Sequence, residues 1–407
     1  MVKRQRPKWS ELAPLLKPQP RAGTRRQRRL ARAANIADLR QQGRRRTPRA
    51  AFDYVDGAAD DELSLGRSRD LFRSLEFVPN VLRDVSSCDT STDILGRPAS
   101  YPFGFAPTGF TRMMHHEGEP AVAAVAEEFG IPFALSTMGT TGPERLAEEV
   151  PDVDRWFQLY VWKDRAVSEA LLDRVRRAGF RALILTVDLP VGGARLRDLR
   201  NGMTIPPNLS MRVVLDGARH PSWWYNFLTT EPLRFATLDS TLGTVVDATD
   251  RLFDASLNFD DLVWLRSNWD GPIVVKGVQN VEDARRCVDA GATGIILSNH
   301  GGRQLDRSPV PLRLIRPTVD AIGPDASVMV DGGIMNGGDI VAAVALGADA
   351  AFVGRAYLYG LMAGGVEGVR RAAQILSEDI VRTMKLLGVS RVADLNPDHI
   401  RLPKEPR

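Results

Sequence analysis

Residues 298–306 combine residue types that together can take a proton from an anionic substrate. The stretch reads SNHGGRQLD and follows an apolar segment, 294–297, that is typical of a buried strand. His300 has an ordinary pKa near neutral pH, and Arg303 has a planar guanidinium that can hold a carboxylate through two hydrogen bonds. The glycines between them let a substrate or cofactor approach the backbone closely. Because a single histidine in a glycine-rich turn is more often structural, this hypothesis needs support from the rest of the chain.

The elements that must position these residues follow a repeating pattern beyond residue 100. Short apolar strands alternate with helical segments such as 119–129, 167–178, 281–290 and 339–346. We predict eight strands, at 103–106, 133–136, 156–161, 182–187, 273–276, 294–297, 327–330 and 350–353. Eight β/α units in about 250 residues predict an α/β fold of the TIM (β/α)8 barrel type, with its active site at the C-terminal strand ends. A doubly wound open sheet is the alternative.

The predicted strand ends are polar or glycine, whereas the strand bodies are aliphatic. A barrel without an active site can end its strands in Thr or Asp, because these residues cap the next helix. It has no such use for Lys276, His300, Tyr160 and Arg355, so we predict an enzymatic site. The last two ends lie where such barrels often bind phosphate. These two ends are Asp331-Gly332-Gly333 and Gly354-Arg355.

Across residues 35–400 the chain resembles the FMN-dependent α-hydroxy-acid oxidases and dehydrogenases, and within them the bacterial respiratory L-lactate dehydrogenases. The resemblance rests on motifs in family order. They are Phe52-Asp53-Tyr54, Ala106-Pro107-Thr108-Gly109, Phe157-Gln158-Leu159-Tyr160, Leu185-Thr186-Val187-Asp188, Ala194-Arg195-Leu196-Arg197-Asp198, Val275-Lys276-Gly277, 298–306 and Gly354-Arg355-Ala356-Tyr357-Leu358-Tyr359-Gly360.

The resemblance implies catalytic and substrate-binding roles. His300 would remove a proton from the 2-hydroxy acid, and Asp188 would orient its ring. Arg303 and Arg195 would hold the substrate carboxylate together with the Tyr54 hydroxyl, and Tyr160 would bond the substrate oxygen.

The same resemblance implies FMN as the cofactor and no metal. Lys276 would face the pyrimidine end of the flavin and offset negative charge there. The other expected cofactor contacts are Pro107, Thr108, Gly109, Ser136, Gln158, Thr186, Ser298, Asp331, Gly332, Gly333, Gly354 and Arg355.

Three positions qualify this resemblance. The family often has an arginine two residues after the Asp-Gly-Gly turn, whereas Met335 stands here, which removes one expected phosphate contact. Met138 replaces a tryptophan of glycolate oxidases and predicts an apolar, adaptable pocket that suits the methyl group of lactate. Gly109 replaces an alanine of many oxidases, which is compatible with a dehydrogenase.

Charge is distributed unevenly along the 407 residues. Residues 1–49 contain 16 Lys and Arg against Glu11 and Asp38, so this arm carries +14 and the remainder −10. We therefore divide the chain into a basic arm, 1–50, and a barrel, 51–407, with an insert at about 195–261 after the fourth strand. The arm can dock on its own body or a neighbouring subunit, or bind anionic lipid or, less readily, nucleic acid.

The sequence predicts a soluble, cytoplasmic protein. We see no signal peptide or membrane span, and Cys88 and Cys287 fit neither a disulfide nor a zinc site. The Trp223-Trp224-Tyr225-Asn226-Phe227 cluster in the insert predicts either an active-site lid or, together with the arm, peripheral contact with a membrane.

We therefore expect an L-lactate dehydrogenase that passes electrons to quinone or another carrier, as a homotetramer without nucleic-acid partners. One alternative is an oxidase that makes hydrogen peroxide from oxygen. Another is a catalytically retired barrel that binds membrane or nucleic acid.

Overall fold

The computed structural model describes residues 6–13, 23–202, 216–236 and 254–404. Eight parallel strands close into a barrel in chain order, with the last strand hydrogen-bonded to the first. The strands are β1 Phe103–Phe105, β2 Phe133–Ser136, β3 Arg155–Leu159, β4 Ala182–Thr186, β5 Ile273–Val278, β6 Gly294–Leu297, β7 Ser327–Asp331 and β8 Ala350–Val353.

The barrel and all eight strands confirm the sequence prediction, with small differences at strand ends. β3 stops at Leu159 instead of Val161, because the Tyr160 N–H donates to the Thr137 hydroxyl at 3.2 Å. β5 continues to Val278 with a register shift after Lys276.

The helices of the described chain surround the barrel and extend it at both termini. The long C-terminal helix, Arg355–Leu387, is interrupted at Gly364 and Gly365, whose backbone is not helical. The helices are α1 Trp9–Leu12, α2 Arg25–Leu30, α3 Ile36–Arg44, α4 Arg49–Asp56, α5 Leu63–Ser74, α6 Thr111–Met114, α7 Gly118–Glu128, α8 Pro143–Glu149, α9 Arg165–Arg177, α10 Leu196–Arg200, α11 Pro221–Thr229, α12 Phe259–Asn268, α13 Val281–Asp289, α14 Pro311–Ile322, α15 Gly337–Ala345 and α16 Arg355–Leu387.

Part of the basic arm packs on the barrel's own body. Arg29 in α2 donates to the carbonyl of Ala363 at 2.5 Å, and Leu30 lies against Gly364. Arg40 in α3 forms an ion pair with the buried Asp56 at 2.5 Å. In α2 and α3 the arm therefore docks on its own body, which was one of the alternatives considered for it.

The core has two layers, separated by the wall of the barrel. Trp156, Phe352 and Met329 fill the barrel interior, while alternate strand residues such as Phe157 and Val330 pack outward against the helices. This alternation is the ordinary two-residue period of a strand. No helix in the described ranges is long and apolar enough to cross a membrane.

Candidate active site

Five polar side chains point into the C-terminal end of the barrel because each follows an interior apolar residue by two positions. Ile184 and Val274 belong to the interior cluster, for example, and Thr186 and Lys276 stand two residues later. The period of a strand returns such pairs to the same face. The five residues are Ser136, Gln158, Thr186, Lys276 and Asp331, and all are buried.

These side chains line a cavity of about 840 Å³ at the mouth of the barrel. It collects residues that are far apart in sequence. Of the predicted site residues, it is lined by Tyr54, Pro107, Thr108, Gly109, Ser136, Gln158, Tyr160, Thr186, Arg195, Lys276, His300, Arg303, Asp331, Gly332, Gly333, Gly354 and Arg355.

Two predicted residues lie behind the lining. Asp188 contacts His300 from behind, as its predicted orienting role requires. Ser298 is fully buried; its hydroxyl accepts from the Lys276 ammonium at 3.0 Å and from the His300 N–H at 2.9 Å. The structure thus places Ser298 as a support for two lining residues and not on the cavity surface, where a cofactor contact was expected.

His300 and Asp188 form a hydrogen-bonded pair. The Nδ1 atom of His300 is 3.1 Å from Asp188 Oδ1 and 3.3 Å from Oδ2. Burial raises the pKa of Asp188, but the His300 hydrogen bond and charge and the Lys276 charge outweigh it and hold this pKa below its usual range. Burial lowers the pKa of His300, against the opposing effect of Asp188. At neutral pH a charged Asp188 therefore receives Nδ1–H from a neutral imidazole, whose Nε2 remains a base.

The turn that carries His300 depends on two unusual backbone positions. His300 itself has a φ of 56°, and Gly277 on the neighbouring strand has a φ of 102°. A Cβ at Gly277 would lie 2.7 Å from Asp188 Cβ and Cγ, so only glycine leaves room for this carboxylate. Positive φ at a non-glycine residue is uncommon and is concentrated at functional sites.

Two arginines and a tyrosine form the opposite side of the cavity. The guanidinium carbons of Arg303 and Arg195 lie 4.9 Å and 5.6 Å from the Tyr54 ring centre. Arg303 also donates to the carbonyls of Tyr54 and Gly57, which fixes its position. Burial, followed by the charge of Arg195, lowers the pKa of Arg303 to about 10, so Arg303 is cationic at neutral pH. An anion between them would relieve their repulsion and accept paired hydrogen bonds.

Tyr160 is buried beside the base and the two arginines. Burial is the main cause that raises the pKa of its phenol, with a further contribution from the charge of Asp188. The hydroxyl is therefore neutral and can donate a hydrogen bond into the cavity.

Lys276 is a buried cation held at the barrel axis. Its ammonium lies 3.0 Å from Asp331 Oδ2 and 3.0 Å from the Ser298 hydroxyl. Burial lowers the pKa of Lys276, but the charges of Asp331 and Asp188 outweigh it and raise the pKa above its ordinary value. The site therefore keeps a fixed positive charge at the inner end of the cavity.

Several polar atoms around the Lys276 ammonium could form hydrogen bonds with the polar edge of a bound ring. Ser136 donates to Gln158 Oε1 at 2.8 Å, which fixes the amide so that Nε2 is the free end. Gln158 Nε2, Thr186 Oγ1 and Asp331 Oδ1 are buried without a hydrogen-bond partner in the described part of the chain. Buried polar groups are normally paired, so these three atoms indicate a ligand with donors and acceptors along one edge. An isoalloxazine ring has such an edge, and the residues fit FMN.

The Asp331-Gly332-Gly333 turn and the start of α16 form the other end of the cavity. Gly332 and Gly333 have φ values of 93° and 82°, which presents backbone N–H groups in a way that other residues rarely allow. Gly354 stands at the N-terminus of α16, where backbone N–H groups favour an anion. These features fit the phosphate of FMN.

Arg355 itself is engaged with the backbone. Its guanidinium donates to the carbonyls of Val55 at 2.8 Å, Gly301 at 2.8 Å and Gly57 at 2.7 Å. It thus joins α4 to the His300 turn, and its expected phosphate contact stays a prediction.

The sequence interpretation missed two residues that support the site, Arg69 behind the cavity and Gln304 in its lining. Arg69 in α5 donates to the carbonyl of Gly333 and forms an ion pair with Asp339 at 2.7 Å. Gln304 donates to the carbonyls of Asp188 and Val191 at 3.2 Å and 3.0 Å. Gln304 lies inside the 298–306 motif and was visible there, but no local signal marks Arg69.

Part of the insert closes the top of the cavity. Phe227 and Leu228 of α11 line it, and Trp223 donates from its indole to the Met113 carbonyl at 3.0 Å. The same helix leaves Tyr225 70% exposed and Leu228 71% exposed. The aromatic cluster therefore has a lid-like face and an outward face. Residues 203–215 and 237–253 of the insert lie outside the described residues.

Comparisons with known proteins show the family of this chain. A family model described as FMN-dependent dehydrogenase matches residues 43–402. A protein of Mycobacterium tuberculosis named "Putative L-lactate dehydrogenase" is 55% identical over 400 residues, which cover 98% of this chain and 96% of the relative. The (S)-mandelate dehydrogenase of Pseudomonas putida is 39% identical over 371 residues, covering 90% of this chain and 93% of the relative.

Solved structures give the same result. The crystal structure of a monotopic membrane protein, (S)-mandelate dehydrogenase, has a TM-score of 0.88 and 38% identity, and the match covers 91% of this chain and 100% of that one. With the matched family model, the barrel and a cavity that fits FMN, the chain belongs to the FMN-dependent dehydrogenase family.

Proposed function

We propose that the protein oxidises L-lactate, or a similar small L-2-hydroxy acid, to the 2-oxo acid and delivers the electrons to quinone or another carrier. The observation that carries this proposal is the neutral His300, backed by the charged Asp188 and facing the same cavity as Arg195 and Arg303. A base and a pair of carboxylate-binding cations in one cavity are what a 2-hydroxy acid requires. The names of the relatives, L-lactate and (S)-mandelate dehydrogenases, support the substrate class.

The chain's own residues bind and orient the substrate. Arg303 and Arg195 hold the carboxylate, and the Tyr54 hydroxyl adds a further hydrogen bond. Tyr160 donates to the substrate oxygen. In this position the substrate hydroxyl proton passes to Nε2 of His300, and Asp188 stabilises the imidazolium that forms.

FMN, when bound, supplies the acceptor for the two electrons that leave the substrate carbon. Gln158, Thr186, Ser136 and Lys276 would hold its polar ring edge, and the 107–109 backbone would lie along the ring. Gly332, Gly333, Gly354 and Arg355 would hold the phosphate end, while the Asp331 carboxylate would stay at the ring edge beside Lys276. The Lys276 ammonium offsets negative charge at the ring edge without needing to move.

A spectrum of the purified protein tests this function. Under anaerobic conditions we expect L-lactate to bleach the visible flavin band. Slow return of colour in air with little peroxide, and fast return with a soluble quinone analogue, support a dehydrogenase. Fast return in air with stoichiometric peroxide identifies an oxidase instead. A colourless preparation that FMN does not restore contradicts the proposal.

We further propose that the outward face of α11 contacts a membrane surface, where a quinone would be found. Tyr225 is exposed on this helix, as is most of Leu228, which also lines the edge of the cavity, and Tyr favours the boundary between water and lipid. Co-sedimentation with anionic vesicles at low salt should fall when Tyr225 and Leu228 are both changed to Ser. Equal sedimentation of both proteins would exclude this face. The tetramer stays a prediction, which analytical ultracentrifugation can check.

A further inference from the structure

A second, smaller cavity of about 90 Å³ lies beside the catalytic one. It forms where four parts of the chain meet: the basic arm, helix α6 with the loop that follows it, helix α11 and helix α16. Its polar lining includes Arg26, Arg46 and Thr47 of the arm, Arg112 of α6, His116 of the loop after α6, and Asn226 of α11. One water molecule needs a cavity volume of roughly 10–15 Å³, so this cavity is large enough for a small polyatomic ion.

Two buried polar atoms at this cavity lack partners. Thr47 is 1% exposed, and its hydroxyl makes no hydrogen bond with any described residue. The Nδ1 atom of His116 is likewise buried and unpaired within the described ranges. Leaving such groups unpaired costs free energy, so a bound polar group at the cavity is expected to engage them.

The charges around the cavity are dominated by guanidinium groups. Arg26 lies 3.6 Å from Glu117 and 3.9 Å from Glu367, and Arg112 donates to the Glu231 carbonyl at 2.7 Å. Arg46 has no carboxylate within 4.0 Å in the described part of the chain. Arg46 is therefore the cation whose charge is left for a ligand.

The same positive charges contribute to lowering the pKa values of the two neighbouring histidines. Burial, followed by the charges of His116, Arg26 and Arg46, lowers the pKa of His115 to about 3. Burial is also the main cause that lowers the pKa of His116, where the charges of Arg26 and Arg112 oppose that of Glu117. Both rings are neutral at physiological pH, and they lie tilted by 31° to each other with centres 4.4 Å apart.

A metal ion is the competing occupant, because His115, His116 and Glu117 offer ligand atoms within 4.8 Å of one another. Two observations disfavour it. The Glu117 carboxylate already accepts from the Val366 N–H at 2.6 Å and lies near Arg26. Arg26, Arg46 and Arg112 would also repel a cation.

We propose that this cavity binds a phosphate-sized oxyanion through the Arg46 guanidinium, the Thr47 hydroxyl and a His116 ring nitrogen. Free phosphate and the phosphate of a lipid headgroup share this chemistry. The site does not depend on the proposed reaction. A bound oxyanion would join the arm to α11, because residues of both line this cavity. Phe227 of α11 also lines the catalytic cavity.

Isothermal titration calorimetry of the FMN-loaded protein with inorganic phosphate, in a low-salt zwitterionic buffer, tests the proposal. We expect saturable binding that is weakened roughly tenfold by Arg46→Gln, because a hydrogen bond to a charged group is lost. Thr47→Val should weaken it by a smaller factor, about three- to tenfold, without removing any charge. Arg44→Gln is the matched control, since this exposed arginine of α3 does not line the cavity. Phosphate at the catalytic arginines is detected separately as a change in the flavin spectrum.

A parallel titration with short-chain phosphatidylglycerol identifies the source. Binding of inorganic phosphate supports a free oxyanion as the ligand, and binding of the lipid alone supports a lipid headgroup. In both cases Arg46→Gln and Thr47→Val must weaken the binding of that probe. The proposal is overturned if neither probe binds or if both variants bind as tightly as the Arg44→Gln control. Zn²⁺ binding in the absence of any phosphate binding would also overturn it. If Arg46→Gln does not fold, the Thr47→Val result decides.

Discussion

His300 Nδ1 lies 3.1 Å from Oδ1 of Asp188, a residue 112 positions earlier in the chain. The Asp188 side chain is buried, and its carboxylate forms an ion pair with the imidazole when His300 is protonated. The pair therefore fixes which nitrogen carries the proton and which is the base.

Asp188→Asn should reduce the rate of flavin bleaching by L-lactate by at least about 100-fold, because the imidazolium loses its counter-charge. Stopped-flow absorbance under anaerobic conditions measures this rate. Flavin content should stay normal, since Asp188 does not line the cavity. A variant with full FMN and a rate within a few-fold of the unaltered protein would exclude Asp188 from the proton transfer.

The activity should also depend on pH in a defined direction. His300 acts as a base only when neutral, so kcat/KM falls as pH drops through its pKa in the free protein. Burial lowers this pKa below its ordinary 6.5, which places the acidic limb of the profile below that pH. Asp188 opposes this lowering, so Asp188→Asn should move the limb to still lower pH. A limb above 6.5, or movement in the other direction, would contradict this.

Arg303→Lys should raise KM for L-lactate by roughly 10- to 100-fold, because an ammonium cannot replace the two parallel hydrogen bonds of a guanidinium. Lysine would also lose the contacts with the Tyr54 and Gly57 carbonyls. Steady-state kinetics with a quinone analogue measures the change. Arg307→Lys, outside the cavity lining, is the control and should leave KM unchanged.

Arg69 should support FMN binding at the phosphate end. Arg69 holds the Gly333 carbonyl pointing towards its own guanidinium. The N–H of the same peptide bond then points away from Arg69, because the C=O and N–H of a trans peptide point in opposite directions. Arg69→Lys should therefore weaken FMN more than riboflavin, which lacks the phosphate. Fluorescence titration of the apoprotein measures both affinities.

The exposed Arg67→Lys on the same helix is the control for Arg69. Equal losses for FMN and riboflavin would show that Arg69 acts on the whole cavity and not on the phosphate end.

Met138→Ala should shift the substrate preference towards larger 2-hydroxy acids. Met138 lines the cavity and is unbranched, and its removal leaves space beside the predicted position of the lactate methyl group. The ratio of kcat/KM for (S)-mandelate to that for L-lactate should rise. An unchanged ratio would place the substrate side chain elsewhere in the cavity.

The sequence by itself was enough to predict the barrel and the polar strand ends that face its cavity. Strand periodicity is local, so interior residues such as Val274 predict that Lys276, two positions later, faces the same interior. Motif order supplied His300, Arg303, Asp188 and the FMN assignment. The division into an arm, 1–50, and a barrel stays a prediction, although α2 and α3 already pack on α16.

Only the tertiary structure decided which distant groups meet. Arg69 reaches the turn at Gly333, 264 positions away, and Arg355 reaches the Val55 carbonyl, 300 positions away. Thr47, just after α3, and His116, in the loop after α6, likewise line one cavity only because the fold brings them together. Such contacts depend on how helices pack around the barrel, and no short sequence pattern encodes that packing.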